Sequence, residues 1–260
     1  MVNQKHKVII ITQARIGSRR LPSKTTKKIG DETILSIHLK RLQKSKFATK
    51  IVVATTFEKK VKEIIDIVNK CKVEYFQGST VDVLDRYYQA AKLYNPEYIV
   101  RVTSDCPLID PELIDKIIDF TIKNDFDYVS NVIIPNYPDG QDIEVFKFSA
   151  LTIASQNSTS SLEREHVTPY IIKNSTFNGG NIFIQSKSGS KRSVFIESDY
   201  FKKKMKKEKA IKNTINIFKK IEPAINKKFR QHIDNNINKF FINKKTNFSC
   251  SFSSCIKSYI

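Results

Sequence analysis

Residues 7–24 read KVIIITQARIGSRRLPSK, and the change of character within this stretch decides the fold. Lys7 to Gln13 is an unbroken β-branched run, the composition of a strand buried on both faces. Ala14 to Lys24 is its opposite: three arginines, a lysine and small residues crowd into one loop. Arginine supplies forked donors, lysine a mobile point charge, and the small residues free backbone N–H groups, which together can wrap a polyphosphate. A solvated basic loop is the plainer alternative. The glycine spacing and terminal Lys-Ser/Thr of a P-loop are absent.

Outward from this stretch, apolar periodicity alternates between strand and helix through residue 170. Ile34 to Leu42 predicts a helix with Ile34, Ile37, Leu39 and Leu42 on its apolar face. Strands follow at 51–54, 73–76, 98–103 and 128–131. Helices are expected at 58–71, 81–94 and 111–124, the last opened by Pro111 in its first turn and capped by Asp110. Strands alternating with helices of this length predict an α/β fold: a three-layer, mostly parallel sheet with right-handed crossovers, of GT-A or Rossmann-like type. Residues 174–181 read as a loop by composition.

In such a sheet ligands bind beyond the carboxyl ends of the strands. That rule selects four segments: 14–24, 77–80, 104–111 and 132–141. Asp105 follows a buried strand and precedes Pro107 by two residues, so it is either a ligand for a hard cation or an Asx-turn residue. Asp142 and Glu144 share one face if 142–146 is a strand, where they would bind metal or a sugar hydroxyl, or form the polar side of an edge strand. Arg164-Glu165-His166 opens a helix. Arg164 suits an acceptor carboxylate, and His166 is either a base or a packed side chain. Arg86 reads as a structural ion pair, and Arg19 as a solvated residue.

Five segments in order carry a family likeness: Gln13-Ala14-Arg15 through Lys24, Gly78 to Tyr87, Arg101 to Pro111, Pro138 to Phe146, and Arg164 to Tyr170. Together they resemble the cytidylyltransferase family of the spore-coat-polysaccharide type, related to acylneuraminate and KDO cytidylyltransferases, over about residues 7–172. The resemblance implies a nucleotidyltransferase that moves CMP from CTP to a sugar or sugar acid, releasing pyrophosphate, in surface polysaccharide or glycoconjugate synthesis. Its nucleotide site would be Gln13, Ala14, Arg15, Ser18, Arg20 and Lys24. Its catalytic residues would be Arg15, Lys24 and Asp105, with Mg²⁺ held by Asp105, and its sugar site Asp142, Glu144, Arg164, Glu165 and His166. Relatives of this type lead one to expect a homodimer.

The resemblance stops short of the C-terminus. A late Thr-Val-Asp motif, whose aspartate is the second metal ligand in KDO-type relatives, has no clear counterpart. Ser193 to Asp199 is its nearest echo. The expected organisation is a nucleotidyltransferase domain over 1–175, then a divergent Lys/Asn-rich segment over 176–260, helical in part or disordered. Divergence and a shifted reading frame are both open explanations of that end.

Composition bounds the alternatives. The net charge of +19 sits mainly in residues 201–245, which hold fifteen Lys/Arg against three Asp/Glu; the first 200 residues keep only +6. The body therefore suits an enzyme for phosphorylated anions. The basic tail lacks the interleaved aromatics of a single-strand nucleic-acid platform. Four dispersed cysteines give neither zinc spacing nor a disulfide framework. No run nears the 18 to 20 apolar residues of a membrane span, and no signal-peptide pattern opens the chain, so a cytoplasmic location is expected. Two rival functions remain: a GT-A glycosyltransferase using a ready-made nucleotide sugar, and a catalytically impaired sugar-nucleotide-binding protein.

Overall fold

The computed structural model describes residues 6–17, 23–133, 137–187 and 190–197, with side chains described to residue 182. The chain divides into two compact units, Met1–Lys202 and Lys203–Ile260, and all described residues lie in the first. The expectations for 201–260 fall outside the described residues.

The strands are β1 (Val8–Gln13), a two-stranded ribbon β2 (Lys28–Ile29) and β3 (Glu32–Thr33), β4 (Lys50–Thr55), β5 (Glu74–Gln77), β6 (Tyr98–Thr103), β7 (Tyr128–Ser130), β8 (Glu144–Lys147), β9 (Gly179–Lys187) and β10 (Ser190–Glu197). The helices are α1 (Ile34–Leu42), α2 (Val61–Lys70), α3 (Val83–Lys92), α4 (Pro111–Lys123), α5 (Phe148–Asn157), α6 (Ser161–His166) and α7 (Pro169–Lys173). Eight strands form the main sheet in the order β10-β9-β7-β8-β6-β1-β4-β5. The β1 pairings with β4 and β6, and those of β4 with β5 and β7 with β9, are parallel. β8 is antiparallel to β6 and β7, and β10 to β9. The sheet is thus mostly parallel, as its alternating sequence predicts. The inserted β8 has a consequence for the site: its first residue, Glu144, stands beside the carboxyl ends of β6 and β7.

Alternation along β1 sorts the core into two layers. Val8 and Ile10 pack with Leu35, Leu39 and Leu42 of α1, Ile64 and Val68 of α2, and Ile114, Ile117 and Ile118 of α4. Ile9 and Ile11 face Leu84, Tyr87 and Ala91 of α3 and Leu151 and Ala154 of α5. Both faces of the sheet are covered, which explains why its central strands carry no polar stripe. Asp110 caps α4, accepting from the Glu112 N–H at 3.0 Å, with Pro111 in the first turn.

Two local expectations are corrected. The buried face of α1 is Leu35, His38, Leu39 and Leu42 rather than one containing Ile34 and Ile37. The spacing i, i+3, i+4, i+7 is the regular one, and a histidine in it disguised the phase. The segment 174–181 is not all loop, because β9 begins at Gly179 and pairs with Tyr128. A Cβ at Gly179 would lie 1.8 Å from the Tyr128 carbonyl oxygen, so the glycine that resembles a loop residue permits the strand to approach.

Candidate active site

The ligand edge is assembled by short ties between strand ends. Ala14 is buried and its N–H donates to the Ala54 carbonyl at 3.2 Å, which carries β1's direction past its last pair. Ser23 returns the loop with an N–H bond to the Ile16 carbonyl at 3.1 Å, and Lys24–Thr26 forms a single 3₁₀ turn. Ser104, after β6, donates its hydroxyl to the Gln13 carbonyl at 2.6 Å. The segments following β1 and β6 are thereby fastened together.

Across that junction Lys24 donates from Nζ to Asp105 Oδ2 at 3.0 Å. Burial alone would raise the Asp105 carboxyl, but the Lys24 hydrogen bond and charge, with a bond from Thr103, hold it below its ordinary value. Asp105 is therefore an anion at neutral pH. Arg15 is exposed on the same loop, and its charge adds to burial in lowering the Arg86 guanidinium. Gln13 is half-buried, with a buried Oε1 that has no hydrogen-bond partner among the described residues. Ser18, Arg19 and Arg20 lie outside the described residues.

A residue with no role in the sequence reading supports Asp105 from beneath. His38 of α1 is fully buried, with Nδ1 2.9 Å from the Cys106 carbonyl and Nε2 3.1 Å from Thr12 Oγ1. A carbonyl only accepts, so the proton sits on Nδ1 and Nε2 accepts from the Thr12 hydroxyl. Burial lowers the His38 pKa to about 4, against opposing effects from the Cys106 bond and the Asp105 charge. The neighbouring Cys106 thiol is pushed up to about 11 by burial and is unreactive at neutral pH.

The second part of the site is a cavity of about 350 Å³ lined chiefly by Arg101 and Thr103 of β6, Asp142 and Glu144, and His166 and Thr168. Glu144 is 4% exposed. One oxygen is paired with Arg101, and the other accepts from Tyr128 OH at 2.8 Å and Thr168 Oγ1 at 2.6 Å. Burial alone would lower Arg101, and the Glu144 charge more than reverses that, leaving the guanidinium above its ordinary value. Asp142 precedes β8 and is half-buried. Burial raises its carboxyl, and the charges of Asp139 and Glu144 raise it further against Arg101.

The structure separates the expected sugar residues. Asp142, Glu144 and His166 line the cavity. Arg164 turns away, giving Nε and Nη2 to Asp82 at 2.8 and 2.5 Å and Nη1 to the Ser155 carbonyl at 2.8 Å. It therefore joins α6 to Asp82, the cap of α3. Glu165 is exposed and does not line the cavity. Arg86 is buried and donates to the Ser79 carbonyl at 2.6 Å, with no carboxylate in ion-pair range among the described residues, so the ion pair expected for it is not found. Arg101 is the charged cavity residue that the sequence reading left without a role, although a charge inside the apolar strand YIVRVT marks it. A second cavity, about 300 Å³, lies at the opposite sheet edge, near Leu42, Lys50, Lys72 and Glu74, away from these groups.

The mostly parallel sheet, with a cationic strand-end loop and an ionised aspartate at its carboxyl edge, has the nucleotidyltransferase fold of its structural neighbours. The chain belongs to the cytidylyltransferase family, whose model matches residues 9–241. It is 49% identical over 170 residues to the protein MJ1063 of Methanocaldococcus jannaschii, covering 65% of this chain and 68% of that one. It is 34% identical over 172 residues to the spore coat polysaccharide biosynthesis protein SpsF of Bacillus subtilis, covering 63% and 69%. Among solved structures it resembles a cytidylyltransferase from Leptospira borgpetersenii, with a TM-score of 0.67 and 38% identity over 74% of this chain and 81% of that one. No described helix is long and apolar enough to cross a membrane.

Proposed function

We propose that this chain transfers CMP from CTP to a hydroxyl of a sugar or sugar acid and releases pyrophosphate, in surface polysaccharide or glycoconjugate synthesis. The observation that carries the reading is the Lys24–Asp105 pair, set where the phosphate loop meets the end of β6. A polyphosphate arriving there offers Lys24 stronger partners than a partly exposed carboxylate. Lys24 then turns to the phosphates with Arg15, and Asp105 is released.

Magnesium suits the released carboxylate. It takes one or two carboxylates and completes its shell with phosphate oxygens and water. Asp105 is ionised, and Asp142 lies near enough for its carboxyl to be raised by the Asp105 charge. When bound, the ion would neutralise charge on the phosphates. The chain's own residues do the rest. Arg15 and Lys24 oppose the charge that builds on the phosphoryl oxygens and on the departing pyrophosphate. The acceptor oxygen bonds to the α-phosphorus as the α–β bridging bond breaks. Asp142, the more basic of the edge carboxylates, takes the hydroxyl proton.

The test is pyrophosphate release with each of CTP, UTP, ATP and GTP, with and without Mg²⁺, across acidic and neutral sugars. CTP- and Mg²⁺-dependent release supports the reading. A chain that binds no nucleotide by calorimetry sinks it.

A further inference from the structure

The loop that carries Asp105 is gripped by side chains for which the transfer reaction has no use. Residues 104–110 run from the end of β6 to the cap of α4, and their own backbone bonds are weak. Cys106 N–H to the Thr103 carbonyl and Ile109 N–H to the Cys106 carbonyl are both 3.3 Å, at the long end for such bonds. Side chains supply what the backbone lacks. From α1, His38 donates Nδ1–H to the Cys106 carbonyl at 2.9 Å. Arg41, three residues later on the same helix face, gives Nε–H to the Ile109 carbonyl at 2.6 Å. From the segment before β8, Gln141 gives Nε2–H to the Leu108 carbonyl at 2.8 Å and accepts the Asp110 N–H on Oε1 at 2.9 Å. A single orientation of the amide satisfies both partners.

Gln141 is itself held. Its N–H closes a turn onto the Pro138 carbonyl at 3.1 Å, through Gly140 at φ +86°, a value that favours glycine. Buried Asn131 brackets the next residue: its Nδ2 donates to the Gln141 carbonyl at 2.6 Å, and its Oδ1 accepts the Ile143 N–H at 2.9 Å. Asp142 lies between those two bonds. The Gln141 amide therefore ties the backbone beside Asp142 to the loop that carries Asp105. Neither Gln141 nor Arg41 lines the cavity, and both polar atoms of the Gln141 amide are committed to the loop's backbone.

We propose that Arg41 and Gln141 are positioning residues for Asp105, an inference that rests on the cytidylyltransferase reading: they fix the backbone of its loop while its side chain stays free to exchange Lys24 for a divalent cation. Mg²⁺ demands near-ideal octahedral geometry, so a carboxylate on a loop that must first be ordered holds it more weakly. Groups that orient a metal ligand without touching the metal typically contribute about 10- to 100-fold in metal affinity.

The experiment uses the full chain and a CTP analogue whose α–β bridging oxygen is a methylene, titrated by calorimetry with and without Mg²⁺. The quantity read is the factor by which Mg²⁺ strengthens binding. Arg41→Met combined with Gln141→Met keeps side-chain length and removes the bonds to Leu108, Ile109 and Asp110. That double variant is expected to lose at least about fivefold of the factor, with metal-free affinity within about twofold of wild type. Arg15 and Lys24 still meet the phosphates in it. In the Asp105→Asn background the same two substitutions should change nothing further, because residues that act through Asp105 have no effect once its charge is gone. A smaller loss overturns the inference. So does a metal-free affinity that falls as well, which marks general loosening, or an effect that persists without the Asp105 charge. A wild-type chain whose binding Mg²⁺ leaves unchanged overturns it too. Each of these results leaves nucleotide binding standing. Failure of the wild-type chain to bind the analogue at all overturns the cytidylyltransferase reading, and the inference falls with it.

Discussion

Two carboxylate–cation pairs flank the same sheet edge and are built in opposite ways. Glu144–Arg101 is interior: its side chains are 5% and 16% exposed, and Tyr128 and Thr168 complete the carboxylate's partners. Asp105–Lys24 is open, with side chains 41% and 28% exposed, and it joins two loops. A buried pair is held because breaking it strands a charge in a poor solvent. An exposed pair costs little to break, because water takes over. The first is suited to fixing β6, β7 and β8 in place, and the second to exchanging partners when a polyphosphate arrives. Charged residues of the same types thus serve architecture in one place and chemistry in the other, and burial makes the difference.

The comparison breaks most visibly at Glu144. Glu144→Ala leaves Arg101 buried without its counter-charge, and such losses cost about 3–5 kcal/mol. Urea unfolding of the variant against wild type measures it. A loss below about 1 kcal/mol would mean that water reaches Arg101 freely and that the pair is no more interior than Asp105–Lys24.

His38 ties the open side to the core, and its effect is read by acid. Its pKa falls from 6.5 to about 4 on folding because burial disfavours the imidazolium. A depressed folded value means that the unfolded chain binds the proton more readily. Stability is therefore complete above the unfolded value and declines as pH falls from 6.5 toward 4. The full effect of that shift is about 3 kcal/mol. His38→Gln removes the titrating group, so the gap in its stability between pH 7 and pH 4 should narrow by about that amount. An unchanged gap would assign acid sensitivity to other groups.

Asp105→Asn tests the open pair. Asparagine keeps the size and turn-forming capacity of the side chain, and the exposed pair contributes little stability. The expected melting temperature is near native. A hard cation favours an anionic oxygen, so the variant should lose Mg²⁺-dependent strengthening of CTP binding. Turnover should fall at least about a hundredfold, roughly 2.7 kcal/mol in the barrier. Retention of both properties would move the metal elsewhere, with Asp142 next.

How much of this is legible in the sequence depends on the distance over which each feature is decided. The strands of the central sheet could be read because burial on both faces demands unbroken β-branched runs, as in Val8 to Ile11. The meeting of the Lys24 and Asp105 loops could be read because parallel strands bring their carboxyl ends to one edge. The antiparallel β8 could not, since a short strand's direction is set by its neighbours. Nor could the phase of α1, where a histidine bonded to Thr12 and Cys106 occupies a core position that composition assigns to an aliphatic residue. Arg164 misled for the same reason: its sequence context does not reveal that Asp82, 82 residues earlier, lies within reach.

That pair provides the smallest expected effect and the sharpest control. Arg164 and Asp82 are 25% and 28% exposed, between the interior and open extremes. Arg164→Ala removes one ion pair and one bond to the Ser155 carbonyl, while Asp82 can still cap α3 through the Asp85 N–H at 2.8 Å. Water can reach both groups, so the loss should be about 1 kcal/mol or less. If Arg164 held the acceptor, its removal would instead weaken sugar binding while leaving stability alone. The two measurements therefore separate the roles: a small fall in urea midpoint with unchanged sugar affinity marks a joint between α6 and α3. The reverse pattern would return Arg164 to the acceptor site and, with it, a cation for a sugar acid's carboxylate.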